Sequence, residues 1–182
     1  RAARALEAAF APEAAATVPP VIPGAAGFGM GTRAGRRGQV LRVTHLGASG
    51  PGSLRAALEA AGPRVVVFDV GGTIALDENL VVRQPYLTVA GQTAPSPGIT
   101  VAGAGLVVET TDVLIQHLRV RVGAGASGPP AEDRDGVRVG AGAHRVVVDH
   151  VSVAWAVDEG GSTSGAGVRD VTFRACIFAE GL

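Results

Sequence analysis

A single cysteine, Cys176, excludes an internal disulfide. It stands in the apolar run Ala175-Cys-Ile-Phe178 and reads as a small core residue within a strand. Aromatic residues make up only 4% of the 182, so Val, Ala, Leu and Ile must fill the interior. No charge of one sign is in excess: 16 Lys and Arg balance 16 Asp and Glu. A net charge of zero argues against a nucleic-acid partner. The one basic cluster, Arg33, Arg36 and Arg37, lies in a Gly-rich stretch and reads as a solvated turn. No run approaches the ~20 apolar residues of a membrane span, so no membrane partner is expected. The chain starts at Arg1 and shows no charged-then-apolar leader. The expectation is a trimmed N-terminus and a C-terminus cut within a coil, because Ala175–Phe178 patterns as a buried strand and a solenoid ends in a polar cap.

What the chain does have is 47% apolar residues, 27 Gly, 11 Pro and a returning phrase. A β-branched or aliphatic run, a polar break and another apolar run recur. They appear in Arg64-Val-Val-Val-Phe-Asp-Val70, Tyr86-Leu-Thr-Val-Ala90, Asp112-Val-Leu-Ile-Gln-His-Leu-Arg-Val120, Arg145-Val-Val-Val-Asp-His-Val-Ser-Val153 and Asp170-Val-Thr-Phe-Arg-Ala-Cys-Ile-Phe178. Val113, Val146 and Val171 hold equivalent places, 33 and 25 residues apart. A period that varies in the twenties and thirties predicts a solenoid whose coils differ in loop length. Small and β-branched side chains suit the narrow interior of stacked β-coils. With no hairpin signal between the short strands, the stack is expected to be parallel, and right-handed by the general preference of parallel crossovers.

Residues 1–17 read as a short Ala-rich helix or the remnant of a leader, and 1–20 are set apart as an N-terminal segment. Residues 21–182 form one domain, irregular and Pro/Gly-rich up to 38. Gln39-Val-Leu-Arg-Val-Thr44 alternates as a first strand. Ser53 is a good N-cap, Leu54 and Leu58 share a face, and Gly62-Pro63 is a stop. This predicts a helix of about two turns that plugs the N-terminal end of the tube.

Several ordered motifs are similar to the pectate lyases of the large parallel β-helix family. They are Gly24-Ala-Ala-Gly-Phe-Gly-Met-Gly-Thr-Arg33, Gly38-Gln-Val-Leu-Arg-Val-Thr-His-Leu46, Gly50-Pro-Gly-Ser-Leu-Arg-Ala-Ala-Leu58, Pro63-Arg-Val-Val-Val-Phe-Asp-Val-Gly-Gly-Thr-Ile74 and Leu87-Thr-Val-Ala-Gly-Gln-Thr-Ala-Pro95. Val146-Val-Val-Asp-His150 resembles the family's hydrophobic-Trp-hydrophobic-Asp-His phrase, with Val147 where Trp is usual. The likeness covers nearly all of residues 20–182. It implies an all-β, right-handed parallel β-helix, here its N-terminal part, that is secreted and cleaves polygalacturonate by Ca2+-assisted β-elimination. The implied Ca2+ ligands are Asp133 and Asp135, from an Asp-x-Asp pair before a strand, and Glu159. The family's second acid, four residues on, is Thr163 here, so the pattern departs at that point; Asp158 is the candidate substitute. The resemblance places the catalytic base, an Arg, on a coil beyond residue 182. No residue of this chain is therefore given that role, and residues 1–182 alone are expected to be inactive.

The chemistry asks for these residue types. β-Elimination removes a weakly acidic C5 proton beside a uronate carboxylate, and a metal ion bound there stabilises the enolate-like charge. Calcium takes several hard oxygen ligands, so clustered Asp and Glu suit it. Other residues read more blandly. Asp149 and His150 look like an acid/base pair, but neighbours on a strand point to opposite faces, so a turn-bonding role is favoured. His117 occupies the equivalent place one coil earlier. Trp155 suits either a sugar platform or a partly buried structural site. Gly29-Met-Gly-Thr-Arg-Ala34 superficially matches a dinucleotide fingerprint but neither follows a strand nor opens a helix. Against the lyase stand a non-catalytic β-helix that binds glycans, which Thr163 favours, and a glycoside hydrolase with two facing carboxylates. The oligomeric state is left open.

Overall fold

The computed structural model describes residues 18–182. The helix expected over 1–17 lies outside the described residues. Among the described residues, fifteen short strands pair only in parallel, and they fall into three sheets. The first sheet runs β1 (Gln39–Val43), β2 (Arg64–Phe68), β5 (Leu87–Ala90), β8 (Val113–Gln116), β11 (His144–Asp149) and β14 (Arg169–Arg174). The second stacks β3 (Gly72–Ala75), β6 (Ile99–Ala102), β9 (Leu118–Arg121), β12 (Ser152–Ala154) and β15 (Ile177–Ala179). The third stacks β4 (Leu80–Val82), β7 (Leu106–Val108), β10 (Val137–Val139) and β13 (Gly161–Thr163). From β2 onward the chain visits the sheets in turn, one strand in each per coil, which is the parallel β-helix the repeat predicts.

Register bears out the repeat position by position: Val146 sits between Val113 and Val171. Alternation sends one side of each strand inward, and columns of Val, Leu and Ile from all three sheets make one continuous core. The helix α1 (Leu54–Glu59) forms where expected. Ser53 caps it by accepting from Ala56 N at 3.1 Å, and Leu54, Ala57 and Leu58 join the core beside Val43. No helix of the described residues is long and apolar enough to cross a membrane.

Two features went unread in the sequence. At the corner entering the first sheet, Tyr86, Asp112, Arg145 and Asp170 stack in left-handed conformation, with φ of 61°, 58°, 54° and 53°. Such φ is uncommon outside Gly and here recurs once per coil. Asp112, 1% exposed, holds this corner by accepting from Arg145 at 2.6–3.1 Å. It also fastens the segment before β1, accepting from Arg33 N at 3.0 Å. That segment crosses the outer side of the first sheet from coil to coil. Gly29 N donates to Thr172 Oγ1 and Gly35 N to Thr88 Oγ1, both at 3.0 Å, while Met30 and Ala34 pack on Leu114 and Val147. Arg36 ties back to the carbonyls of Pro19 and Pro20, so this member of the basic cluster is a structural clasp as well as a surface charge.

Cys176 is a correction. It lies at the corner between β14 and β15, not in a strand, and is half-buried with its thiol on the Val148 and Arg174 carbonyls. Ala175, at φ 49°, turns the chain there. Burial pushes the thiol pKa up, which disfavours the thiolate.

Candidate functional site

The corner between the second and third sheets carries the acids. In consecutive coils it comprises the stretch before β10, which ends in Asp135-Gly136, and the stretch before β13, which ends in Glu159-Gly160. Parallel pairing of Val137 with Gly161 continues backward through this corner. Gly136 N donates to Glu159 O at 2.8 Å and Val137 N to Gly160 O at 3.1 Å. Asp135 is thereby laid over Glu159, and its Oδ1 accepts from Glu159 N at 3.2 Å. The coils approach closely enough that any side chain at Gly136 would run into Gly160 O.

Carboxylate oxygens of Asp135, Asp158 and Glu159 all lie within 4.8 Å of one another. Asp135 is buried; the other two are exposed. Asp133 is not among them. It sits in the 3-10 turn Ala131–Asp133, half-buried, with its carbonyl accepting from Asn79 Nδ2. Thr163 ends β13, exposed. Crowded like charges have a direct consequence: the Glu159 carboxyl titrates above its ordinary value. A hydrogen bond with Asp135 is the main cause, followed by repulsion from the charges of Asp135 and then Asp158. Three hard oxygen donors crowded at one corner are the ligand type that calcium takes, so the donor set fits it. Asp135, Asp158 and Glu159 would hold it, with the remaining oxygens of its shell left to water or ligand.

The loop ahead of Asp135 is folded by Arg134. This side chain is 8% exposed and donates to the carbonyls of Pro129, Gly123, Gly125 and Ser127 at 2.6–3.1 Å. Its own carbonyl accepts from Val157 N, next to Asp158. Sequence reasoning passed over it, because an Arg between two Asp residues looks like one more surface charge.

At the corner between the first and second sheets, Asp149 is buried and fully engaged. It accepts from Gln116 Nε2 at 2.9 Å, Arg174 at 2.7 Å and His150 Nδ1 at 3.0 Å. The expectation that the two side chains point to opposite faces fails at this pair, while the contacts agree with a structural role at the turn. His150 has already left the strand at φ 53°, and the left-handed turn folds its ring back toward Asp149. His117 repeats the position one coil earlier and stacks on His150, centroids 4.7 Å apart. Trp155 is 44% exposed and donates to Glu180 Oε2 at 2.7 Å.

No protein-family model matches the chain. Over 176 residues, 96% of the chain, it is 43% identical to a probable pectate lyase C of Neosartorya fischeri and covers 40% of that protein. It is 42% identical over the same length to a probable pectate lyase C of Aspergillus fumigatus, again 40% of the relative. The Aspergillus flavus protein of the same name matches at 42% over 161 residues. The chain thus spans about 40% of the length of the first two curated relatives. Among solved structures, Jun a 1, the major allergen from cedar pollen, superposes with a TM-score of 0.65 at 22% identity. That match covers 82% of this chain and 47% of the other, and it concerns the fold.

Proposed function

The chain is a relative of the pectate lyases, and on that premise we propose that the protein is a secreted polysaccharide lyase cleaving polygalacturonate by calcium-assisted β-elimination. In this reading residues 21–182 are the N-terminal part of its β-helix domain. The observation that carries it is the meeting of Asp135, Asp158 and Glu159 at one corner of adjacent coils. A calcium ion held there would draw charge from the uronate carboxylate and make the C5 proton more acidic. Asp135 is locked in orientation by Glu159 N, so one ligand is set before any cation arrives. Asp158 and Glu159 are exposed and so would be open to the polymer. In the reaction the C5 proton goes to a base, the C4–O bond breaks, a C4–C5 double bond forms, and the departing oxygen takes up a proton. The base belongs, by the family resemblance, to an Arg outside residues 1–182. The test is the full-length protein on polygalacturonate. Unsaturated oligouronides, detected by their ultraviolet absorbance, are expected with calcium and not with chelator; saturated products would mean a hydrolase instead.

Thr163 favours a second reading, a non-catalytic β-helix that binds glycans, because the second acid of the family pattern is missing there. It predicts polyuronate binding by the full-length protein with no unsaturated product at any calcium concentration.

A further inference from the structure

The corner between the first and second sheets repeats a histidine. His117 and His150 follow β8 and β11 in consecutive coils, and both turn in left-handed conformation, with φ of 55° and 53°. His117 N donates to Asp149 O at 3.1 Å and His150 N to Arg174 O at 3.0 Å, so the parallel ladder runs on through the corner and sets their spacing. The same conformation one ladder step apart lays the imidazoles face to face, with centroids 4.7 Å apart and planes 16° from parallel. Both residues are exposed. Register carried one residue on sets Gly91 beside His117 and Ala175 beside His150, side chains too small to cover either ring.

Asp149 decides which nitrogen is free. An ionised carboxylate only accepts, so the His150 Nδ1 that meets it at 3.0 Å carries the proton, and Nε2 keeps its lone pair. A carboxylate orients a metal-binding imidazole in this way. Asp149 is itself matched by Arg174 at 2.7 Å and also accepts from Gln116, so it is an anchor for His150 rather than a further ligand. With that charge balanced, a hard cation gains little here. The corner offers imidazole nitrogen, a donor that suits copper, nickel and zinc, whereas calcium takes oxygen. Ligand atoms of His117, Asp149 and His150 lie within 4.8 Å of one another. Two nitrogens on a tetrahedral ion stand about 3.3 Å apart for bonds of about 2.0 Å, so the exposed rings need only tip toward each other. We propose that His117 and His150 form a binding site for a first-row transition-metal dication such as Cu2+ or Zn2+. Water completes the coordination shell on the exposed side. This site is at a different corner from the carboxylate cluster and does not depend on the lyase reading.

The experiment is calorimetric titration of the full-length protein with Cu2+ and with Zn2+, in excess Ca2+ so that oxygen sites are filled. The wild type is expected to bind one equivalent of Cu2+ more than a variant carrying both His117→Asn and His150→Asn, and to hold Cu2+ more tightly than Zn2+. Asn tolerates the left-handed backbone at both positions, so the corner itself is kept. Each single variant should lose tenfold or more in affinity for both ions, which gives the same test where the double variant fails to fold. The electron paramagnetic resonance spectrum of that Cu2+ should show coupling to two nitrogens in the wild type and to fewer in either single variant. Asp135→Asn should bind Cu2+ as the wild type does. Equal stoichiometry and affinity in wild type and histidine variants, displacement of the Cu2+ by Ca2+, or a spectrum without the two nitrogens overturns the inference and leaves His117 and His150 as a structural stack.

Discussion

Arg64 shows what one buried charge does for this fold. It is fully buried and gives its N–H groups to Ala57 O, Leu58 O, Gly62 O, Gln84 O and Pro85 O, binding the C-terminal end of α1 to the next coil. Burial lowers its pKa, but a guanidinium stays charged throughout the working range. Arg64→Leu strands these carbonyls and is expected to cost about 3 kcal/mol or more, read from the urea unfolding midpoint. Glu159 gives a residue-scale pH dependence. Its raised pKa means that it keeps its proton to a higher pH than an isolated glutamate. Calcium needs the carboxylate, so affinity should fall on acidification, beginning above the ordinary glutamate range. Calcium titrations across pH check this. Asp135→Asn removes the main cause of the shift and should also abolish most of the binding.

At the scale of elements, the corners and the crossing segment before β1 carry what strand pairing leaves undone. Burial alone would raise the Asp112 and Asp149 carboxyls. Donors outweigh it, chiefly Arg145 for Asp112 and Gln116 with Arg174 for Asp149, and both end below the ordinary value. A carboxyl lowered on folding contributes stability above its unfolded pKa, and that contribution is lost as pH falls through the folded one. Acid unfolding followed by circular dichroism should therefore set in at or below the ordinary carboxylate range. Asp112→Asn should be less stable at neutral pH and should lose less on acidification. The crossing segment makes a separate prediction. A Cβ at Gly35 would run into Arg64 O, so Gly35→Ala should cost about 1–3 kcal/mol and lower the Tm. These contacts were illegible in the sequence: residues 18–38 show no periodicity, and their partners lie 53 to 143 residues away.

For the whole molecule, the carboxylate cluster joins two neighbouring coils, so a cation bound there stabilises the stack by mass action. Calcium at a hundred times its Kd should add about 2.7 kcal/mol, seen as a rise in Tm that Asp135→Asn does not show. The sequence alone determined the coiled stack. Val113, Val146 and Val171 recur because every coil needs an apolar residue at that level, and register matches them as the spacing implied. It also determined the capped helix at Ser53, since capping is local. Only the tertiary structure decided which acids meet. Whether Asp133 or Asp158 joins Asp135 depends on how an irregular loop is folded, here by Arg134 through four carbonyls, and no local pattern encodes that. It decided as well that Asp149 and His150 touch, because a left-handed turn overrides the alternation that their adjacency in sequence suggests. Repetition along a chain is a local signal, whereas contacts at the corners arise from the different lengths of chain between the repeats.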